Sequence, residues 1–332
     1  MPAARYYVVA DEIIARLTAF VQGLRVAAVT AYASKPDFGD MDVIIEGGAE
    51  YDPLAIAKQL QATELVRNGD VTSIGISIAE GIFQIDLIRV PSESFDFALH
   101  YFSYNDMGNL FGRIGHKLGA KFGHLGLLYP LRDPGNSDHL IDEVLITNDF
   151  ATALTLMGYD FEAFNVMRTS GGFNTLDDIF RYVATSPFMN RDIYLLDNRN
   201  HSARMRDAKR PTYTRFLAWL AQQPADAMAA YPWGAPGSEE REIQRREFLQ
   251  RAFVAVPAFK LAYDAAMAAH ARKILVHRYF NGDNVSALTG LSGKALGERM
   301  RHVRASFSSK EEFEQFFASA DESTAAERIR RS

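Results

Sequence analysis

The stretch Phe38-Gly39-Asp40-Met41-Asp42-Val43-Ile44-Ile45 constrains this chain more than any other. Its apolar residues make it a strand. On a strand residues two apart share a face, so Asp40 and Asp42 project together while Met41, Val43 and Ile45 enter a core. A second strand pattern, Phe83-Gln84-Ile85-Asp86-Leu87-Ile88, carries one carboxylate, Asp86, in an otherwise apolar run. If the two strands are neighbours, three carboxylates gather. Such a trio raises its own pKa values unless a divalent cation neutralises it. Mg²⁺ takes oxygen ligands of this kind and leaves positions open for phosphate oxygens. The pattern is the outline of a two-metal phosphoryl-transfer site, with Mg²⁺ expected and Mn²⁺ an alternative. Asp-x-Asp also occurs at strand edges that merely face water, and in glycosyltransferases that hold Mn²⁺ with a sugar nucleotide, so those readings compete.

The surrounding pattern is α+β. Spacing predicts an amphipathic helix over 11–24, strands over 26–31 and 41–46, a helix over 53–62 with Pro at its first turn, and strands over 71–78 and 82–90 turning at Glu80-Gly81. Beyond about Asp149 the periodicity is helical, with segments at 151–158, 174–184, 213–222, 240–256, 257–278, 292–305 and 309–319 and no clear strand. The breaker run Tyr231-Pro-Trp-Gly-Ala-Pro-Gly237 reads as a loop between helical subdomains. The 332 residues suggest about two domains. The expected division is 1–149, a mixed antiparallel sheet with helices, and 150–332, mostly helical.

Charge divides with the pattern. Residues 1–200 hold 15 Lys and Arg against 26 Asp and Glu, whereas 201–332 hold 21 against 15, so a net of −11 precedes a net of +6. An acidic unit for metal and a basic unit for a polyanion fit this split, as does an excess of charge on solvated helix faces. The chain has no cysteine, which excludes disulfides, thiolate metal sites and thiol nucleophiles. With no apolar run of membrane-spanning length, and with Arg5, Asp11, Glu12 and Arg16 breaking the N-terminal stretch, a soluble, cytoplasmic protein without membrane contact is expected.

Gly39-Asp40-x-Asp42 followed by a strand bearing Asp86 resembles the palm of the DNA-polymerase-β-like nucleotidyltransferase superfamily. The likeness continues through Tyr101-Phe-Ser-Tyr-Asn-Asp-Met-Gly-Asn-Leu-Phe-Gly-Arg113 and Gly123-His-Leu-Gly-Leu-Leu128, which is similar to the segment after the palm in family X polymerases. The resemblance spans about 25–130. It implies that Asp40 and Asp42 bind both metals, that Asp86 completes the site activating a 3′-hydroxyl, and that Asn109 and Arg113 contact the nucleotide or the strand. The superfamily's Gly-Ser phosphate cradle is replaced here by Val29-Thr30. Thr30, Ser34 and Lys35 are therefore the expected phosphate partners, with Lys35 a mobile point charge.

Residues 105–122 carry Gly108, Gly112, Gly115 and Gly119 in one line. Each helical glycine costs about 1 kcal/mol relative to Ala, so something approaches that backbone closely: a nucleic-acid strand, or a tightly packed element. Lys117 and Lys121 lie on the polar side. Arg199, His201, Arg204, Arg206, Lys209, Arg210 and Arg215 cluster with Tyr213, as a strand grip with a stacking ring would, although a solvated Arg-rich loop gives the same pattern. Lys294 opens a basic helix in Leu288–Gly297, a segment that looks like the late helical domain of tRNA nucleotidyltransferases and poly(A) polymerases. The expected activity is nucleotide addition from a nucleoside triphosphate to a nucleic-acid 3′-OH. A template-independent, tRNA-like RNA end is favoured over DNA. The alternatives are a family X-type gap-filling DNA polymerase and a nucleic-acid-binding protein that has lost catalysis.

Overall fold

The computed structural model describes residues 1–332 except 49–51, 80, 225 and 332; Glu80 of the expected turn thus lies outside the described residues. The first elements are α1 (Ala3–Phe20), β1 (Val26–Ala28), β2 (Asp40–Glu46), α2 (Pro53–Gln59), β3 (Glu64–Asn68), β4 (Val71–Ile78) and β5 (Gly81–Val90). They form a five-stranded mixed sheet in the order β1-β2-β5-β4-β3. β2 runs parallel to β5, and the remaining neighbours are antiparallel. The fold is α+β, as the alternation predicts.

Strand alternation gives the sheet two apolar faces. Met41, Val43, Ile45, Phe83, Ile85 and Leu87 point to one side and form a core with Ile13 and Leu17 of α1 and Ile56 of α2. Ile44, Ile88 and Val90 point to the other, where they pack on Phe95 and Ala98 of α3 (Phe95–Phe102). Asp40, Asp42 and Asp86 share this second face by alternation, on the rungs that precede the Ile44–Ile88 rung.

Two of these first elements depart from expectation for physical reasons. α1 begins at Ala3, because the buried stripe of Ile13 and Leu17 continues back through Tyr6, Val9 and Ala10. β-branched and aromatic residues of low helix propensity hide that stripe in the sequence. β3 is a wholly unforeseen strand. It sits at the sheet edge with four of its five residues exposed, so it lacks the apolar alternation that marks a strand.

Next come α4 (Met107–Leu118), a second sheet of β6 (Lys121–Gly123), β7 (Gly126–Asp133) and β8 (Asn136–Thr147) in that order, then α5 (Phe150–Leu156), α6 (Phe161–Thr169), α7 (Leu176–Val183), α8 (His201–Asp207), α9 (Pro211–Gln222), α10 (Glu239–Ala255), α11 (Pro257–Tyr279), α12 (Gly282–Thr289), α13 (Gly293–Ala305), α14 (Lys310–Ser319) and α15 (Glu322–Arg331). The chain divides into two compact units, one of residues 1–130 and 145–259, the other of 131–144 and 260–332. The first unit thus runs well past 149. α5 to α9 belong with the sheet because their aromatic rings enclose α4: Phe111 lies 4.6 Å from Tyr159, and Phe164 and Tyr182 continue the cluster. The loop around Trp233 lies inside this unit, its indole N–H donating to the Phe188 carbonyl at 3.2 Å. The second unit has its own core of Phe280, Val285, Val303, Phe313, Phe317 and Ile329.

The glycine line of α4 is a packing surface. A Cβ on Gly108 would fall 2.3 Å from the Tyr101 carbonyl oxygen, and one on Gly115 would meet Met157 and Phe122 at 3.4 and 3.5 Å. Gly119 ends the helix in the left-handed region at φ +89°, where glycine is unstrained. Protein approaches this backbone, which decides between the two readings. Gly108→Ala is expected to destabilise the fold by about 2 kcal/mol or more. Gly112→Ala, whose new methyl has its closest contact at an ordinary 3.7 Å, should be neutral or stabilising by up to about 1 kcal/mol. Urea unfolding of the two variants checks the contrast.

Candidate active site

The parallel pairing of β2 with β5 sets Asp42 directly opposite Asp86 and Asp40 opposite Gln84. Two strands far apart in sequence thereby place three carboxylates on one face. The Gln84 amide donates to the Asp86 carboxylate at 2.9 Å. Asp42 is half-buried, and its carboxyl is pushed up to about 7 by burial first, then by the charges of Asp40 and Asp86, with Lys35 pulling the other way.

Asp40 and Asp42 open into a cleft of about 550 Å³ together with Thr30, Lys35, Tyr6 and Phe38. Lys35 carries its ammonium 4.2 Å above the Phe38 ring. Burial lowers its pKa, while Asp40, Asp42 and Asp37 oppose the shift. Phe38 in turn stacks on Tyr6, centroids 3.6 Å apart. Burial, and secondarily Asp42, pushes the Tyr6 phenol up to about 12, so it stays a neutral donor at the cleft wall.

The opposite wall comes from a strained turn. Tyr104 and Asn105 are consecutive non-glycine residues at φ +60°, a conformation that costs roughly 1–2 kcal/mol each for L-residues. Tyr104 is fixed there by its N–H, which donates to the Thr30 carbonyl at 2.6 Å, and by its ring 4.7 Å from Phe173. The turn delivers Asn105 and Asp106 to the cleft, and Asp106 pairs with Arg210, which also lines it. Tyr6, Phe102, Asn105, Asp106 and Thr212 were not foreseen as cleft residues. The Asn105-Asp106 pair beside a glycine-rich helix was the only legible sign.

Other expected site residues sit elsewhere. Ser34 faces a separate shallow pocket with Tyr32, Asp177 and Arg215, and its N–H is spent on the Asn174 carbonyl at 2.9 Å. Arg113 is buried, its guanidinium donating to the Ile193 carbonyl at 3.2 and 2.8 Å, so it is a core cross-link of α4 rather than a nucleotide contact. Asn109, on the same helix, is outside the cleft lining, and its side-chain amide nitrogen is buried without a partner. The grip proposed around Tyr213 does not form. That ring is fully buried with its hydroxyl donating to the Tyr194 carbonyl at 2.6 Å, and Arg199 is held by the Tyr213 hydroxyl and by Asp207 at 2.9 Å. A buried ring cannot stack on a base. Arg204, Arg206 and Lys209 remain exposed, Arg206 beside Asp207 at 3.3 Å. Lys117 is half-buried among Arg241, Arg113 and Arg245, Lys121 is exposed on β6, and Lys294, almost wholly exposed, lies 4.0 Å from Glu298 in the second unit.

The donor set fits a hard divalent cation by its chemistry: oxygen ligands only, with an upward-shifted carboxyl where negative charge accumulates. Among the described residues no three His, Asp or Glu side chains are gathered closely enough to hold a metal as they stand. Binding would require Asp86 to exchange its Gln84 partner for the ion.

No family model matches the chain, and no curated protein matches it. Among solved structures it is similar to the Leishmania infantum polymerase beta in a ternary P/T complex, at a TM-score of 0.34 and 10% identity. The match covers 41% of this chain and 59% of that one.

In metal-free buffer the burial of Asp42, and secondarily its charged neighbours, cost stability. Its folded pKa lies above the unfolded value of 3.8, so the folded state holds the extra proton between the two. Stability is therefore retained below 3.8 and lost as pH rises toward about 7. Asp42→Asn should flatten that slope and, at pH 7 with chelator, raise the melting temperature by about 3–5 °C. Thermal melts of both proteins across pH 4–8 read the effect.

Proposed function

We propose that the chain is a metal-dependent nucleotidyltransferase, joining a nucleotide from a nucleoside triphosphate to a nucleic-acid 3′-OH, with an RNA end extended without a template as its favoured substrate. The observation that carries this reading is the Asp42–Asp86 rung flanked by Asp40, with Asp40 and Asp42 lining a cleft that also holds Lys35 and Arg210. In the reaction the 3′ oxygen bonds to the α-phosphorus, the α–β bridge breaks, and pyrophosphate leaves with its electron pair. Asp40, Asp42 and Asp86 would hold the divalent cation, which would supply charge neutralisation and a lowered pKa for the attacking hydroxyl.

The chain's own groups do the positioning. Lys35 is the cation available to the leaving phosphates in place of the glycine-rich cradle, and the Thr30 hydroxyl lies in the same cleft. The Tyr6–Phe38 stack gives an apolar wall. Arg210 is steered by Asp106. The inward turn of Arg113, which the sequence resemblance would place on the strand, favours the template-independent reading over gap filling, since a template grip loses a member.

Labelled triphosphates incubated with a 3′-truncated tRNA, single-stranded DNA and gapped duplex, with Mg²⁺ or chelator, test the proposal. Incorporation on the RNA end, abolished by chelator and reduced about 10²–10³-fold by Asp42→Asn or Asp86→Asn, is the expected result. Lys35→Ala should raise KM for the triphosphate with a smaller change in kcat, because a ground-state phosphate contact is removed. Nucleic-acid binding without pyrophosphate release from any triphosphate overturns the assignment in favour of a binding protein.

A further inference from the structure

The second unit contains a cavity that the transfer chemistry does not use. It measures about 720 Å³ and is bounded by α11, α13 and α14. Its apolar surface comes from Val276, Phe280, Phe307 and Phe313, with Phe313 lying 5.0 Å from Phe280 and 5.5 Å from Phe307. Phe280 and Phe313 are buried members of the core of the unit, whereas Phe307, packed against that core, is partly exposed. An aromatic surface left open is unusual unless something flat or apolar covers it.

The rim decides what that is. Lys273, Arg301, Arg304 and Lys310 line the cavity against a single carboxylate, Glu314, which is already 3.7 Å from Lys310. Lys273 and Arg301 are exposed and have no ion-pair partner among the described residues. These cations converge from three helices, so they are not a solvated face of one. Arg304, itself exposed, lies over the buried rings of Phe280 and Phe313, 5.4 and 5.9 Å from their centroids, so the planar surface offered to a ligand is its guanidinium together with Phe307. A planar guanidinium and ring inside a positive rim supply the two elements of single-strand recognition: a sequence-tolerant stacking surface for the base, and point charges for the phosphates on either side.

We infer that this cavity of the second unit binds an unpaired nucleobase of single-stranded nucleic acid, with Lys273 and Arg301 on the flanking phosphates. The inference rests on the reading of the chain as acting on nucleic acid and names a second contact for that substrate. It also replaces the buried Tyr213 as the stacking element expected in the basic half. An acidic peptide bearing an aromatic residue would satisfy the same charges, but it has no requirement for regularly spaced anions on both sides of the ring.

Fluorescence anisotropy of the full chain with a labelled twelve-residue single-stranded RNA tests it, using the Lys273→Ala/Arg301→Ala double variant, whose exposed side chains can be removed without disturbing the core. The expected result is about a ten-fold weaker Kd with an unchanged melting temperature, and a log Kd against log salt slope shallower by about 1.4, as two single-strand phosphate contacts require. A strand of equal charge made of abasic sugars should bind the wild type about ten-fold more weakly than the base-bearing strand. In the double variant that ratio should shrink. Equal binding of abasic and base-bearing strands, or a double variant indistinguishable from wild type, overturns the inference while leaving nucleotide transfer intact. Displacement of the RNA by a Glu-Tyr copolymer, but not by unlabelled single strand, overturns it in favour of a peptide site. Absence of any single-strand binding by the wild type removes the inference and the RNA-directed reading together, whereas loss of transfer with binding preserved removes only the latter.

Discussion

The parallel rung between β2 and β5 is the constraint on which the cleft depends. Asp42 and Asp86 are more than forty residues apart in sequence, and hydrogen bonding between adjacent strands fixes them opposite each other. A slip of one residue would turn Asp86 toward α1 and bring Leu87 to the cleft face, exchanging a buried apolar side chain for a charge. The next rung, Ile44 with Ile88, buries both side chains against α3. The apolar half of each strand therefore holds the register, and the acidic half inherits it. Mutual repulsion alone would drive the carboxylates apart; two-sided burial of the strands that carry them holds them together.

This explains which parts of the site were legible. The alternations of β2 and β5 are encoded by period-two patterning, so the shared face of Asp40 and Asp42 could be read directly. Adjacency of β2 and β5 could only be posed as a condition, because parallel pairing leaves no local turn signal. Asp106 was invisible in its role for a different reason. Its position is set by the left-handed pair Tyr104–Asn105, which is stabilised by contacts to Thr30 and Phe173 from distant parts of the chain. Neither residue type announces such a conformation in the sequence. β3 escaped for the converse reason, since an exposed edge strand is selected for charge and solubility rather than burial.

Charge counting misled at close range while holding at long range. The basic excess after residue 200 is real, but its members divide by environment. Arg199 is neutralised by Asp207, Arg113 caps a carbonyl, and Arg241 is buried beside Trp233 at 4.8 Å. A guanidinium can bury its planar stem and still satisfy its donors on carbonyls and rings, so arginine in an aromatic-rich chain is as able to fasten a core as to hold a phosphate. Of the cluster around Tyr213, only Arg204, Arg206, Lys209, Arg210 and Arg215 keep any claim on a ligand, and Arg210 meets Asp106 first.

The same distinction separates the aromatic rings. In the first unit, Tyr159 and Tyr182 pack on Phe111 of α4, and its glycine line lets Tyr101, Phe122 and Met157 approach the backbone. Closure there is what rigidifies the helix that leads directly out of the Asn105–Asp106 turn, so glycines that weaken an isolated helix serve the geometry of the cleft. In the second unit Phe280 and Phe313 are sealed into the core with Phe317, while the partly exposed Phe307 sits beside a rim of cations. A lysine or arginine placed beside an open ring resists collapse of the pocket, because closing it would strip water from the charge. Rings of one type thus seal a core where protein covers them and stay partly open where a cation adjoins them.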